Sequence, residues 1–334
     1  MAKWIYAFCL LAMASTCSWV AGATEEDSSK VMVRTIPELR QQAFENLDSC
    51  DQAVFMDDQY VVASVNEGGF TGRPTASGQR GHVVRVVPLL NPVKSMFIEV
   101  AERASDVKIE NGILYILTSK TFEAWDLKTE KQLYIYLTRP DLSSQLHWRK
   151  VASGFVLHQG RAIISHSTLG LSVIDLSSGK FIKLLEMPTK SSAQDIALLN
   201  ENEAVIAVDN DAEAAFHGIY ILDLKTLQIS KQINVDNVFP SSVRVLSGNR
   251  LMLNFFNAIW KFDLNTAIVA KEAKPNRRAW KFPGLYVVDM VGKVHFDDKN
   301  LYSCFKIVDE QTGAQSVKPL AFDLQNLGLQ SSGH

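Results

Sequence analysis

The sequence is poor in the features that would declare its class. It has almost no net charge: 34 Lys+Arg against 36 Asp+Glu leave −2 over 334 residues, so no bulk positive field is present to hold nucleic acid. No HExxH, GxSxG, Walker loop or CxxC pair occurs, so no contiguous motif marks a zinc hydrolase, a serine hydrolase, a nucleotide site or a thiol redox centre. Cysteine is scarce, at four residues. Hydrophobic residues at 47% and charged residues at 21% are ordinary globular values, which excludes disordered and fibrous chains.

Long apolar runs are lacking too, with one exception. Lys3 precedes a 17-residue apolar stretch from Trp4 to Val20, closed by Ala21-Gly22-Ala23. A positive charge, an apolar stretch and small residues at −3 and −1 are what a signal peptidase requires. The stretch falls short of the roughly 20 residues needed to span a bilayer and is interrupted by Ser15, Thr16, Cys17 and Ser18. Lipid attachment at Cys17 is disfavoured by the Ala14-Ser15-Thr16 that precedes it. Residues 1–23 are therefore expected to be a signal peptide, cleaved after Ala23, for export to a periplasmic or extracellular compartment. No Asn-x-Ser/Thr sequon occurs, which fits the periplasm. The expected mature chain has no transmembrane segment and keeps two cysteines, Cys50 and Cys304. In an oxidising compartment these are a candidate disulfide.

Two features recur along the mature chain. An apolar residue, Asp and Leu appear at Trp125-Asp126-Leu127, Ile174-Asp175-Leu176, Leu222-Asp223-Leu224, Phe262-Asp263-Leu264 and Phe322-Asp323-Leu324. In the first four, Thr or Ser follows the Asp by two or three residues. The pattern reads as strand, tight turn, strand, with the carboxylates of Asp126, Asp175, Asp223, Asp263 and Asp323 accepting hydrogen bonds from turn amides. Upstream of each lies a polar turn before an apolar strand, as in Asn111-Gly112 before Ile113. Equating Val61, Leu114, Ala162, Ala204, Leu251 and Leu301 gives steps of 53, 48, 42, 47 and 50 residues, a mean of 48. Four short antiparallel strands per 40–50 residues is the sequence form of a propeller blade. A β-sandwich would explain hairpins at this spacing but not the repeated Asp-Leu turns.

The expected fold is all-β: one β-propeller over residues 50–328, with six four-stranded antiparallel blades. Seven is the alternative count if the N-terminal residues add a blade. Residues 24–49 form an extension in which Val31–Arg34 reads as a strand, and Thr35-Ile36-Pro37-Glu38 has capping-box spacing before a helix through Asn46. Residues 329–334 are a tail. Ring closure makes the first and sixth units neighbours, which brings Cys50 towards Cys304.

Ile174-Asp175-Leu176-Ser177-Ser178-Gly179-Lys180-Phe181 resembles the blade signature of the YVTN and quinoprotein-like β-propellers, and more weakly that of WD40 repeats. The resemblance covers about residues 50–328 and implies architecture; the exported members of these groups are mostly binding or assembly scaffolds, with some enzymes among them. The quinoprotein enzymes use regularly spaced Trp residues, whereas Trp125, Trp148, Trp260 and Trp280 show no repeat spacing. No cofactor is expected on that ground. Calcium would require the loop of Asp209, Asp211 and Glu213, which lacks the glycine and distant glutamate of an EF-hand.

The units differ in loop length. Units one, four and six are extended between their second and third strands, on the face that also carries the links between blades. That face would hold Arg73, Arg80, His82 and His217 from the extensions, with Arg139, Trp148, Arg149, Arg277, Arg278 and Trp280 from the links. Arg and Trp are enriched at binding hot spots, and Arg pairs bidentately with carboxylate or phosphate. The expectation is an exported, monomeric scaffold that binds a protein, peptide or glycan on the long-loop face, with no catalytic residues and no metal. The alternative is a channel-type propeller enzyme, a lyase or hydrolase that gathers His, acidic residues or a metal from several blades.

Overall fold

The computed structural model describes residues 35–47, 49–66, 82–138, 152–167, 170–188, 191–209, 216, 218–235, 240–247, 249–255, 258–273, 281–282, 284–297, 299–327 and 329. The expected strand Val31–Arg34 lies outside them. The described chain opens with a helix, α1 (Ile36–Glu45), whose Thr35 amide donates to Glu38 Oε2 at 2.8 Å in the capping box read from the sequence. Six four-stranded antiparallel sheets follow.

The first blade is β1 (Val54–Met56), β2 (Tyr60–Asn66), β3 (His82–Pro88) and β4 (Met96–Val100); the second is β5 (Ala104–Glu110), β6 (Ile113–Thr118), β7 (Thr121–Asp126) and β8 (Lys131–Leu137). The third is β9 (Gly154–His158), β10 (Arg161–Ser165), β11 (Leu171–Asp175) and β12 (Phe181–Leu185); the fourth is β13 (Ser192–Leu198), β14 (Glu203–Asp209), β15 (Gly218–Asp223) and β16 (Gln228–Asn234). The fifth is β17 (Ser242–Ser247), β18 (Arg250–Phe255), β19 (Ala258–Asp263) and β20 (Ile268–Ala273). The sixth is β21 (Lys281–Phe282), β22 (Leu285–Phe296), β23 (Asn300–Asp309) and β24 (Gln315–Asp323). Contacts run from β1 to β5, β9, β13, β17, β22 and back to β1, so these innermost strands close the ring.

Six apolar clusters fill the six junctions between blades. A middle strand is therefore covered on both faces, which is why Leu114–Leu117 and Val205–Val208 are buried without alternation. An outermost strand has one neighbour, so Leu133, Ile135 and Leu137 of β8 stay exposed between inward-turned tyrosines. Burying each large apolar side chain contributes about 1.5–3 kcal/mol.

The Asp turns form as the sequence implies. Asp175 Oδ1 accepts from the Ser178 amide at 2.9 Å and both neighbouring hydroxyls, and Asp223 Oδ1 accepts from the Thr226 amide at 2.7 Å. Asp126, Asp263 and Asp323 repeat the bond. These hydrogen bonds hold the Asp126, Asp175, Asp223 and Asp263 carboxyls below their ordinary range. Asp309 makes a further turn of this kind with Thr312 that lacks the Asp-Leu signature.

Blade six departs from the regular plan. Its innermost strand is β22, whose second half faces the axis, while the first half continues past the ring with β23 and β24 as the extension expected for unit six. The two-residue β21 pairs with the far end of that extension at Phe282 and Leu285. At the outer edge α1 packs against β24. Phe44 meets the Tyr302 ring edge-on at 5.6 Å, and both are fully buried between blades six and one. Arg40 donates to Asp57 O at 3.2 Å in blade one and lies 3.8 Å from Asp297 in blade six. Cys50 and Cys304 are joined in the same cluster, with Cα atoms 5.7 Å apart.

Candidate functional site

The repeat places side chains in tiers along the axis, because alternate residues of a strand point the same way. Eight or nine residues before each aligned apolar residue stand Ala53, Asp106, Gly154, Asp195, Ser242 and Lys293, one per blade. Lys293 of β22 reaches across to Asp106 of β5 at 3.1 Å and to Asp195 of β13 at 2.7 Å. Asp106 also accepts from the Phe155 amide at 3.1 Å, in the next blade. Asp195 does likewise, accepting from the Val243 amide at 3.1 Å and from Ser242 Oγ at 2.9 Å. Arg244 Nη1 stands 2.8 Å from Asp195, and Lys108 Nζ 3.3 Å from Asp106. The Lys293 amide donates to Gln52 O at 2.9 Å, so the cluster touches all six blades.

Two glycines are required by this approach. A Cβ at Gly154 would overlap the Asp195 carboxylate and the Lys293 ammonium. Gly292 has φ +87°, and a Cβ there would overlap the Gln52 backbone, where blade six meets blade one.

Both axial carboxylates are fully buried. Burial alone would raise the Asp106 carboxyl, but Lys108, Lys293 and Arg244 hold it well below the usual carboxylate range. Against the same burial, Lys293 and Arg244 hold Asp195 low. Each carboxylate is thereby committed to its cation partners. Among the described residues, no three or more His, Cys, Asp or Glu side chains are grouped to hold a metal ion.

Above the ion cluster the channel widens into a cup of about 400 Å³. Its wall takes Gln52, Ser105, Ser153, Gln194, Ser241 and Gly292 from successive blades, and Lys293 stands in its floor. Ser167 and Asn254, at the far ends of second strands, complete the rim. The cup therefore opens on the face of the second-to-third-strand connections. The wall is held by its own hydrogen bonds: Ser105 Oγ donates to Ala152 O at 3.2 Å, Ser241 Oγ to Asn254 O at 2.9 Å, and Gln194 Nε2 to Ser192 Oγ at 2.7 Å. Hydroxyl groups and side-chain amides on a ring with one cation below can accept from and donate to neutral polar groups. On the opposite face the channel ends in a second cavity of about 270 Å³.

Of the binding residues expected from the sequence, His82 is described. It opens β3 opposite Asn66, half-buried, and its Nδ1 has no hydrogen-bond partner among the described residues. Arg73, Arg80, Arg139, Trp148, Arg149, His217, Arg277, Arg278 and Trp280 lie outside the described residues, as do Asp211 and Glu213 of the calcium candidate. Asp209 ends β14. The cup and the ion cluster were missed by motif reading, since each contributes single residues about 48 apart. The signal that finds them is a column in the repeat, read eight or nine residues before the aligned apolar position.

No family model and no curated protein matches the chain. Among solved structures it is similar to the computationally designed Ika8 protein, at 11% identity over 81% of this chain and 71% of that one, with a TM-score of 0.47.

Proposed function

We propose that this chain is an exported propeller scaffold that binds a protein, peptide or glycan partner over the cup face. The supporting observation is the cup itself, a polar seat to which all six blades contribute. The ion-paired axis beneath it favours binding over catalysis, because its carboxylates are committed to Lys293, Arg244 and Lys108. The Arg- and Trp-bearing segments around Arg139–Arg149 and Arg277–Trp280 connect strands whose ends lie on this face, and they are proposed to extend the contact outward. Export is proposed to follow cleavage after Ala23, with Cys50 and Cys304 oxidised in the mature protein.

The test is capture from the envelope of the source cell with wild type, with Ser153→Trp, which fills the cup, and with the double variant Arg277→Ala and Arg278→Ala. A specific partner retained by wild type and reduced at least tenfold in both variants, each melting like wild type, supports the reading. Equal capture by all three contradicts it.

A further inference from the structure

The opposite mouth of the channel carries a different chemistry. Two residues beyond the ion tier, the innermost strands present Phe55, Lys108, Val156, Ala197, Arg244 and His295, one per blade. This tier has three nitrogen bases and no carboxylate, and its other members are apolar. The first five line the cavity of about 270 Å³, which is below the roughly 300–1,000 Å³ of pockets for drug-sized ligands.

The basic groups keep unused donors. Arg244 spends Nε on Val294 O at 3.1 Å and Nη1 on Asp195 and Val243 O, which leaves Nη2 without an acceptor among the described residues. Lys108 has one hydrogen bond, to Asp106, and rests over the Phe155 ring at 5.0 Å. His295 makes no hydrogen bond among the described residues; its ring lies 6.3 Å from that of Tyr302. The charges do not balance either. Lys108, Arg244 and Lys293 face Asp106 and Asp195, so cations outnumber carboxylates by one along the axis; Lys108 and Arg244 keep part of their surface open to the lower mouth, and burial pushes the Lys108 ammonium down against the pull of Asp106. Glu110 also lines the cavity, but it pairs with neither cation, and its charge acts on Tyr115 of the next strand.

We propose that this lower mouth is a second binding site, for a small monocarboxylate with a short apolar body. A carboxylate supplies the one negative charge that the axis lacks and two coplanar oxygens that suit a guanidinium. The hydrocarbon part lies against Phe55, Val156 and Ala197. A dianion such as phosphate would overcompensate the charge and desolvate against apolar walls. Burial first, then Arg244 and Arg40, pushes His295 down to about 3 despite Asp297. His295 belongs to the same tier but not to the cavity wall, so its neutral ring stands beside the site as a reporter of the charge bound there. The same carboxylate chemistry is offered by a free short-chain acid and by the C-terminus of a peptide.

The experiment is calorimetric titration of the mature protein at pH 7 with butyrate, butyramide, inorganic phosphate, and Gly-Ala-Val as free acid and as amide. NMR spectra of the His295 ring at pH 7 are recorded with and without butyrate. Butyrate is expected to bind at least tenfold more tightly than butyramide or phosphate and to shift the His295 ring resonances at pH 7. Lys108→Gln is expected to weaken butyrate at least tenfold. Ala197→Leu, which narrows the cavity without touching the ion pairs, is expected to weaken it likewise if Lys108→Gln fails to fold. Free-acid peptide binding more tightly than butyrate, with the amide silent, assigns the source to a chain terminus; the reverse order assigns it to a free acid. No binding by either acid, phosphate binding as tightly as butyrate, or an unmoved His295 overturns the proposal.

Discussion

His295 shows how a single position reports its surroundings. Its value of about 3 lies far below the ordinary 6.5 because burial and the Arg244, Arg40 and Lys108 charges oppose a second proton, with Asp297 the lone counterweight. The unfolded chain takes up that proton as pH falls through 6.5, whereas the native chain does so near 3, so stability is full above 6.5 and declines as pH drops towards 3. Between pH 7 and 4.5 the wild type should lose about 2 °C or more of melting temperature that His295→Asn keeps, measured by differential scanning calorimetry. Parallel curves for the two proteins would refute the assignment. His295 is invisible to motif reading, since nothing in Lys293-Val294-His295 marks a channel. The turn aspartates are the contrary case: Asp126, Asp175, Asp223 and Asp263 act within three residues, so their neighbours in sequence are their partners in space.

Local range also decides which elements were legible. The hairpins of the middle blades were readable because each strand pairs with the next, and the Asn111-Gly112 turn carries its own geometry in φ values of 53° and 76°. The edge of blade six was not. The strand expected at Val31–Arg34 lies outside the described residues, and the capping box announced the helix α1, but not that it would pack against β24 with Phe44 under Tyr302. That choice depends on what β24 offers across nearly the whole chain. The helix and the cysteine pair act at one seam, so their loss should be additive in part. Thiol labelling of denatured, unreduced mature protein is expected to find no free cysteine. Replacing both Cys50 and Cys304 by Ser should cost at most about 5 kcal/mol, the chain-entropy limit for so long a loop. Two labelled thiols, or an unchanged urea midpoint, would remove the clasp from the account.

At the scale of the molecule, near-zero net charge conceals an ordered interior field. Lys293 joins blades two, four and six at the axis. Lys293→Met removes the one cation that bridges Asp106 and Asp195, leaving each carboxylate with a single part-exposed cation, and should destabilise by about 3–5 kcal/mol in urea unfolding; a loss under about 1 kcal/mol would show that Arg244 and Lys108 suffice. The same ion cluster forms the floor of the cup, so closing the ring and shaping the seat are one arrangement. The ring was legible as six repeats averaging 48 residues, while the axial contacts were not, because Asp106 and Lys293 are brought together only when the last blade meets the first.

The most direct test of the binding account is hydrogen exchange on the mature protein with and without its captured envelope partner. The account predicts slowed exchange at Ser105, Ser153, Gln194 and Ser241, with no change at the Asp175 and Asp223 turns on the opposite face. Protection confined to those turns, or absent from the cup, would contradict it.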